Sequence, residues 1–470
     1  MCAAAFRRRW FVGMASNREP TNARQEGAAD ETEVVGRDRR GYKTRVNVRY
    51  LRRGLWLLGF GCLWLPLLDD PPLATGAYVQ DVSTDRAVVA MATGRQQDLR
   101  LQLKRRDGDA ASVREVADDA NAGLRHQFVI EDLQPGSDYQ YAVLGSSDDV
   151  VAEGSFTTAP DNDEAPVRFA VFGDSGNTPW WVWVQRNFLF HLPARWQWLP
   201  PEAMPSRIGD RIAAAAPDFI LHVGDIVYPD GKQAHYASGF FMPFAEALAN
   251  APIYVALGNH DVTEDEGRQT LSNFYLPKGE VTGDERCYSF AWGAVRVIVL
   301  DCNFMTPDDR MHEGHPSLLH LRHELERRSE PWVVVASHFP IFSASRQRDR
   351  ADMMLHVLPV LREYCVDLYF CGHDHAYQRF GQAGDDDTIQ VVTGGGGKSL
   401  YAVNVHRRAA VAVSQFHWCN VTVEGLELVL RARSVDGDLL DTLVLRQSPD
   451  SERTARIRKV NPARAARIGR

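Results

Sequence analysis

Five short stretches of this 470-residue chain place potential metal donors directly after apolar runs. One is Gly224-Asp225-Ile226-Val227-Tyr228, entered from the apolar run Asp218–Val223. A carboxylate at a turn has two oxygens and can bridge two cations, and a phenol three residues on can reach back to one of them. The others are Gly173-Asp174-Ser175-Gly176, Gly258-Asn259-His260-Asp261, Ser337-His338 and Gly372-His373-Asp374-His375. Singly, each has an ordinary structural reading. A strand-end Asp caps a helix, a lone His is a satisfied core residue, and an Asn holds a turn. Together, carboxylate, phenol, amide and imidazole are the donor types of borderline-to-hard divalent and trivalent metals. His373 and His375, two apart on an extended segment, point the same way.

The elements that must position them follow from the pattern after Val167, where buried strands alternate with helices. Strands are expected at Arg168–Phe172, Asp218–Val223, Pro252–Leu257, Ala294–Leu300, Trp332–Ser337, Val366–Cys371 and Ile389–Thr393. In open α/β sheets the carboxyl ends of strands are where ligands bind. The spacing predicts helices at Ser206–Ala216 (with Ser206 as N-cap), Phe244–Asn250, Ser317–Arg328 and Asp352–Tyr364. Gly394–Ser399 is not a phosphate-binding P-loop, because its first required Gly is Val392; a tight β-turn or bulge is expected. His222 and Asp301 read as structural. Two last strands, Trp418–Val423 and Leu426–Ala432, precede a basic tail (446–470) expected to be disordered.

Upstream, residues 77–160 alternate apolar and polar positions between turn signals, which predicts a small β-sandwich. Residues 1–54 are polar, aperiodic and read as disordered, or as a start assigned too far upstream. Arg52-Arg53, the apolar run Leu55–Leu68 and the small residues Ala74-Thr75-Gly76 have the order of a secretory signal over 55–76. Secreted or periplasmic export is therefore expected, with membrane anchoring through 55–68 as the alternative. The tryptophan-rich stretch 177–204 reads as a loop packed on its own domain or a second subunit, so a homo-oligomer is open; a lid or a membrane-surface segment is the competing reading.

The net charge of −8 is unevenly spread. Residues 1–54 carry 13 basic and 6 acidic groups, residues 446–470 carry 8 and 2, and the body between is at −21. A body that acidic is no nucleic-acid binder, but a local metal centre can still hold an anionic substrate. The seven cysteines show no Cys-x-x-Cys spacing, which argues against a sulfur-ligated zinc site. Buried free thiols are expected rather than a disulfide framework.

The order Gly-Asp-x-Gly, Gly-Asp-x-x-Tyr, Gly-Asn-His-Asp, Ser-His and Gly-His-x-His resembles the calcineurin-like metallophosphoesterases, and more narrowly the purple acid phosphatases. Three details carry the narrower resemblance. Gly176 stands where many relatives have a metal-binding His, Tyr228 supplies a compensating ligand, and His375-Ala376-Tyr377-Gln378-Arg379 matches the family's stretch after the last metal His. Leu133–Tyr141 and Gly154–Pro160 resemble a corner and the last strand of fibronectin type III domains.

The resemblance implies an α/β (α+β) metallophosphoesterase sandwich of two mixed β-sheets flanked by helices over residues 166–445, preceded by a fibronectin type III-like sandwich. It implies two metal ions. Fe(III) would be held by Asp174, Tyr228 and His375, and Fe(II), Zn(II) or Mn(II) by Asn259, His338 and His373, with Asp225 bridging. It implies hydrolysis of small-molecule phosphomonoesters by in-line attack of a metal-bound hydroxide. His260 would contact phosphate or protonate the leaving oxygen, oriented by Asp261. Family members often carry further histidines nine or ten residues after the His338 position. Here Gln347 and Arg348 stand there, and Arg346 or Arg348 could bind phosphate instead. A phosphodiesterase of the same fold using manganese or zinc, and a secreted binding protein with a vestigial catalytic domain, are the alternatives.

Overall fold

Twenty strands and their flanking helices are described by a computed structural model of the chain, over residues 73–107, 113–118, 123–176, 203–303, 310–382, 388–404 and 408–469. The segment read as disordered (1–54), most of the signal-like region and nearly all of the tryptophan-rich stretch lie outside these residues. Among the described residues no helix is long and apolar enough to cross a membrane.

The first seven strands are short; two are buried throughout and three alternate buried with more exposed positions. They are β1 (Tyr78–Gln80), β2 (Ala87–Ala92), β3 (Arg100–Arg105), β4 (Arg114–Ala117), β5 (Arg125–Ile130), β6 (Asp138–Leu144) and β7 (Val150–Thr157). They pair antiparallel into sheets of order β1-β2-β5 and β4-β3-β6-β7, a small sandwich.

The remaining strands are β8 (Val167–Phe172), β9 (Phe219–His222), β10 (Ile253–Val255), β11 (Tyr288–Trp292), β12 (Val295–Val299), β13 (Trp332–Ala336) and β14 (Leu368–Cys371). After them come β15 (Tyr377–Phe380), β16 (Ile389–Thr393), β17 (Val411–Val413), β18 (His417–Glu424), β19 (Glu427–Ser434) and β20 (Leu439–Arg446). They make two mixed sheets, β10-β9-β8-β18-β19-β20 and β11-β12-β13-β14-β16-β15-β17. The strands β9, β13 and β14 are buried along their whole length because both faces are covered, which is why they read as continuous apolar runs.

Register aligns the chemistry. Parallel pairs Phe172–His222 and His222–Val255 bring the loops after β8, β9 and β10 side by side. Parallel pairs Val299–Ala336 and Ala336–Phe370 do the same for β12, β13 and β14. All the candidate donor loops thus leave the carboxyl edges of the two sheets.

The sandwich is not a separate bead on the chain. One apolar cluster runs from Val79, Leu101 and Phe128 into Phe169, Phe219 and Tyr254. Polar ties cross the same joint, with the Tyr254 hydroxyl donating to the Val82 carbonyl at 2.8 Å and the Tyr78 hydroxyl to that of Asn273 at 3.0 Å.

Three expectations are corrected. Residues 446–470 are not a disordered tail, since helices at Glu452–Val460 and Pro462–Ile468 dock on the body. Ile457, Ala465 and Ile468 bury beside Cys365, while the Arg464 guanidinium, itself buried, donates to Asp367 at 2.6 Å and to the carbonyls of Pro331, Tyr364 and Cys365. A further strand, β20, precedes that tail. The helix placed at Ser206 begins earlier, at Ala203, so Ser206 lies inside it rather than capping it. The five cysteines among the described residues are free and buried.

Candidate metal centre

Backbone strain collects where the donors sit. Asp174, Asp225 and His373 have φ of +54°, +55° and +67°, the left-handed region that non-glycine residues seldom adopt. The loops are locked together to hold them there. The Asp174 amide donates to the Gly224 carbonyl at 3.0 Å and the Ser175 amide to that of Asp225 at 3.2 Å. Gly224, at φ +91°, lets this turn pass Gly258, whose amide would lie 2.7 Å from any added Cβ.

The structure brings all seven expected donors to one place. The Tyr228 hydroxyl lies 2.9 Å from Asp225 Oδ2, 3.0 Å from Asp174 Oδ1 and 3.3 Å from His375 Nε2. On the other side, Asn259 Oδ1 lies 3.2 Å from His338 Nε2 and 3.0 Å from His373 Nδ1, and His338 Nε2 is 3.5 Å from Asp225 Oδ1. Asp225 stands between the groups, one oxygen toward each. Donor atoms of Asp174, Asp225 and His338 lie within 4.8 Å of one another, and all three residues are buried.

The hydrogen bonds behind the donors fix which atoms face inward. His338 Nδ1 donates to the Val223 carbonyl at 2.9 Å and His375 Nδ1 to that of Ser399 at 2.7 Å. In the neutral rings each Nε2 is then a lone pair, aimed at a carboxylate or amide oxygen. Lone pairs converging in a buried site repel unless a cation lies between them. The donor set therefore fits two cations, the first among Asp174, Tyr228, His375 and Asp225, the second among Asp225, Asn259, His338 and His373.

The charge balance agrees. Burial pushes the Tyr228 phenol far above its ordinary range, and Asp174 and Asp225 beside it push the same way. Without a cation this phenol stays protonated. Burial pushes His373 down to about 3, helped by His338. Burial also works against a charge on His338, but Asp225 and Asp174 outweigh it and hold its pKa raised.

Gly176 explains why Tyr228 fits. A Cβ there would lie 3.2 Å from the Tyr228 ring and 3.1 Å from its amide. A larger residue at 176 and this tyrosine compete for one space.

His260 is half-exposed at the edge, its Nε2 3.9 Å from Asp225 Oδ2. Its orientation differs from the expectation. The ring is held by the Pro229 carbonyl, 2.7 Å from Nδ1, and not by Asp261. Asp261 lies fully buried behind the loops, where its carboxylate accepts from the amides of Asp225 and Gly258 at 2.8 Å and of Ile226 at 2.9 Å. Three backbone donors converge on it, so it clamps the two loops together instead of steering a catalytic imidazole. His222 and Asp301 are structural, as expected. His222 bonds Ser175 and Gly224, and Asp301 pairs with Arg286 at 3.0 Å.

Arg346 is exposed and lies over Tyr401, 4.1 Å from its centroid; Arg348 is exposed on the same loop. Two residues were not foreseen. Tyr401 stacks on His375 at 4.1 Å, and Lys398 Nζ stands 4.2 Å from the Tyr228 ring centroid. Both follow the glycine run, and that run was the available signal. A Cβ at Gly394 would meet the Asp374 carbonyl and lie 2.7 Å from Asp174 Oδ2, so these glycines let the loop press on the donor turn.

The two mixed sheets with donors at their carboxyl edges are the metallophosphoesterase fold. Residues 167–377 match the calcineurin-like phosphoesterase family. Among curated proteins the chain is similar to purple acid phosphatase 21 of Arabidopsis thaliana, 29% identical over 275 residues, covering 55% of this chain and 54% of that protein. It is also similar to tartrate-resistant acid phosphatase type 5 of Rattus norvegicus, 25% identical over 287 residues, covering 56% of this chain and 81% of that protein. The chain spans about half the length of the first of these. Among solved structures it resembles purple acid phosphatase PPD1 from yellow lupin (Lupinus luteus), with a TM-score of 0.61 and 17% identity over 80% of this chain and 74% of that one. It also resembles PhoD, at 0.58 and 11% over 81% and 90%.

Proposed function

We propose that this chain is a dinuclear metal-dependent phosphohydrolase acting on phosphomonoesters, with Fe(III) beside Tyr228 and a divalent ion beside Asn259. The observation that carries the reading is Asp225, whose two carboxylate oxygens are divided between two complete donor sets. Bound there, two cations would supply Lewis-acid charge for a phosphoryl group and acidify a water. The protein's own groups do the rest. Val223 and Ser399 fix the imidazoles so that no proton obstructs the centre. Asp261 keeps the Asp225 and Asn259 loops in register. His260, anchored through Nδ1, presents Nε2 toward the bridging carboxylate, where the protonated ring can deliver a proton to the leaving oxygen.

Export of the chain belongs to the same proposal, supported by the basic, apolar and small-residue order of residues 52–76. So does a fibronectin type III identity for the sandwich. It is supported by the Gln134 amide donating to the Tyr139 hydroxyl at 2.9 Å across the corner.

The test is a visible spectrum with metal analysis. Iron-loaded protein should show a phenolate-to-iron charge-transfer band that Tyr228→Phe abolishes, and should hydrolyse aryl phosphate monoesters faster than diesters. Stoichiometric iron without a band overturns the assignment of Tyr228, and a preference for diesters overturns the substrate class.

A further inference from the structure

The loop that follows His338 carries three arginines, Arg346, Arg348 and Arg350, and the first and last each reach one of the paired histidines through an aromatic ring. Arg346 lies over Tyr401 at 4.1 Å, and Tyr401 stacks on His375 at 4.1 Å. Arg350 lies over Phe339 at 4.4 Å, and Phe339 packs on His373 at 4.8 Å. The loop is also tied to the segment between those histidines, because the Ser343 hydroxyl donates to Asp374 at 2.6 Å. Its own turns are closed by Asp349 accepting from the Ser343 amide at 2.9 Å and by Ser345 accepting from that of Gln347 at 3.1 Å. The two guanidiniums differ in what neutralises them. Arg350 is paired with Asp352 at 2.5 Å. Arg346 is exposed and has no carboxylate within salt-bridge distance among the described residues.

We propose that Arg346, held over Tyr401, is a subsite for a second anionic group of the substrate, a phosphate or carboxylate several bonds from the phosphoryl group being transferred. The inference rests on the phosphohydrolase reading and adds the substrate class. Two stacking steps separate the guanidinium from the His375 imidazole, so it serves an outer group and not the phosphoryl at the centre. Contact with the Tyr401 ring and a hydrogen bond to its side chain hold the guanidinium in place before a ligand arrives, and its exposure leaves the remaining N–H groups for an oxyanion. In a body at −21, such a cation beside the mouth selects strongly among anions.

Full-length, metal-loaded protein is assayed with phenyl phosphate and with para-phosphonomethyl-phenyl phosphate, which differ only in the distal anion. The wild type should favour the second. Arg346→Ala should lower the ratio of the two kcat/KM values about tenfold, the worth of one charge-assisted contact. An equal loss on both substrates, or no change in the ratio, overturns the subsite. If the wild type hydrolyses neither, the phosphohydrolase reading fails and binding decides the subsite. Calorimetry then compares tetramethylene bisphosphonate with butylphosphonate. Tighter binding of the bisphosphonate, lost in Arg346→Ala, sustains the proposal; equal binding of the two overturns it.

Discussion

At His260 the Pro229 carbonyl accepts a hydrogen bond from Nδ1–H at 2.7 Å, which leaves Nε2 as the atom that meets a substrate. A neutral ring held this way can only accept at Nε2, so the acid role belongs to the imidazolium. His260→Asn should therefore cost alkyl phosphates, whose leaving group needs a proton, about a hundredfold in kcat, and nitrophenyl phosphate much less. Equal losses on both would make His260 a binding group instead. The residue scale is also where sequence reading was both strongest and most misleading. The convergence of the candidate donors was legible because each follows a buried strand directly. The role of Asp261 was not, because its partners are the amides of Asp225, Ile226 and Gly258, which no side-chain pattern announces.

Among the elements, the glycine loop 394–397 shows how backbone shape reaches the centre. It lies against the Asp174 turn, the Gly396 amide donating to the Gly173 carbonyl at 2.9 Å and that of Lys398 to Asp174 at 3.0 Å. It then supplies the Ser399 carbonyl that orients His375. Gly394→Ala would press a methyl on Asp174 Oδ2 and should weaken metal retention about 10- to 100-fold, as disturbing a ligand's support does. Metal content after dialysis against a chelator measures this; wild-type retention would show that the turn yields without moving the donor. The strands themselves were readable, since β13 and β14 are unbroken apolar runs. The C-terminal helices were not. Their basic composition masks three buried apolar positions, and what fixes them is the pairing of Arg464 with Asp367, nearly a hundred residues away.

Over the whole molecule, stability should depend on pH through buried neutral histidines that are not among the donors. Burial pushes His417 down to about 4 and His222 to about 3. Below an unfolded value of about 6.5 the unfolded chain takes up protons that the folded one refuses, so stability is complete above that pH and falls as the pH drops toward the folded values. Each group contributes up to about 1.4 kcal/mol per pH unit in that window. Urea midpoints at about pH 7.5 and about pH 5 should differ less in His417→Gln than in the wild type; an unchanged difference removes His417 from the effect.

That two cations share one carboxylate is the centre of the whole reading, and anomalous X-ray scattering from crystals of metal-loaded protein tests it most directly. The expected result is two peaks about 3.5–4 Å apart astride Asp225, one beside Tyr228 and one beside Asn259. A single peak, or two that do not both contact Asp225, contradicts it.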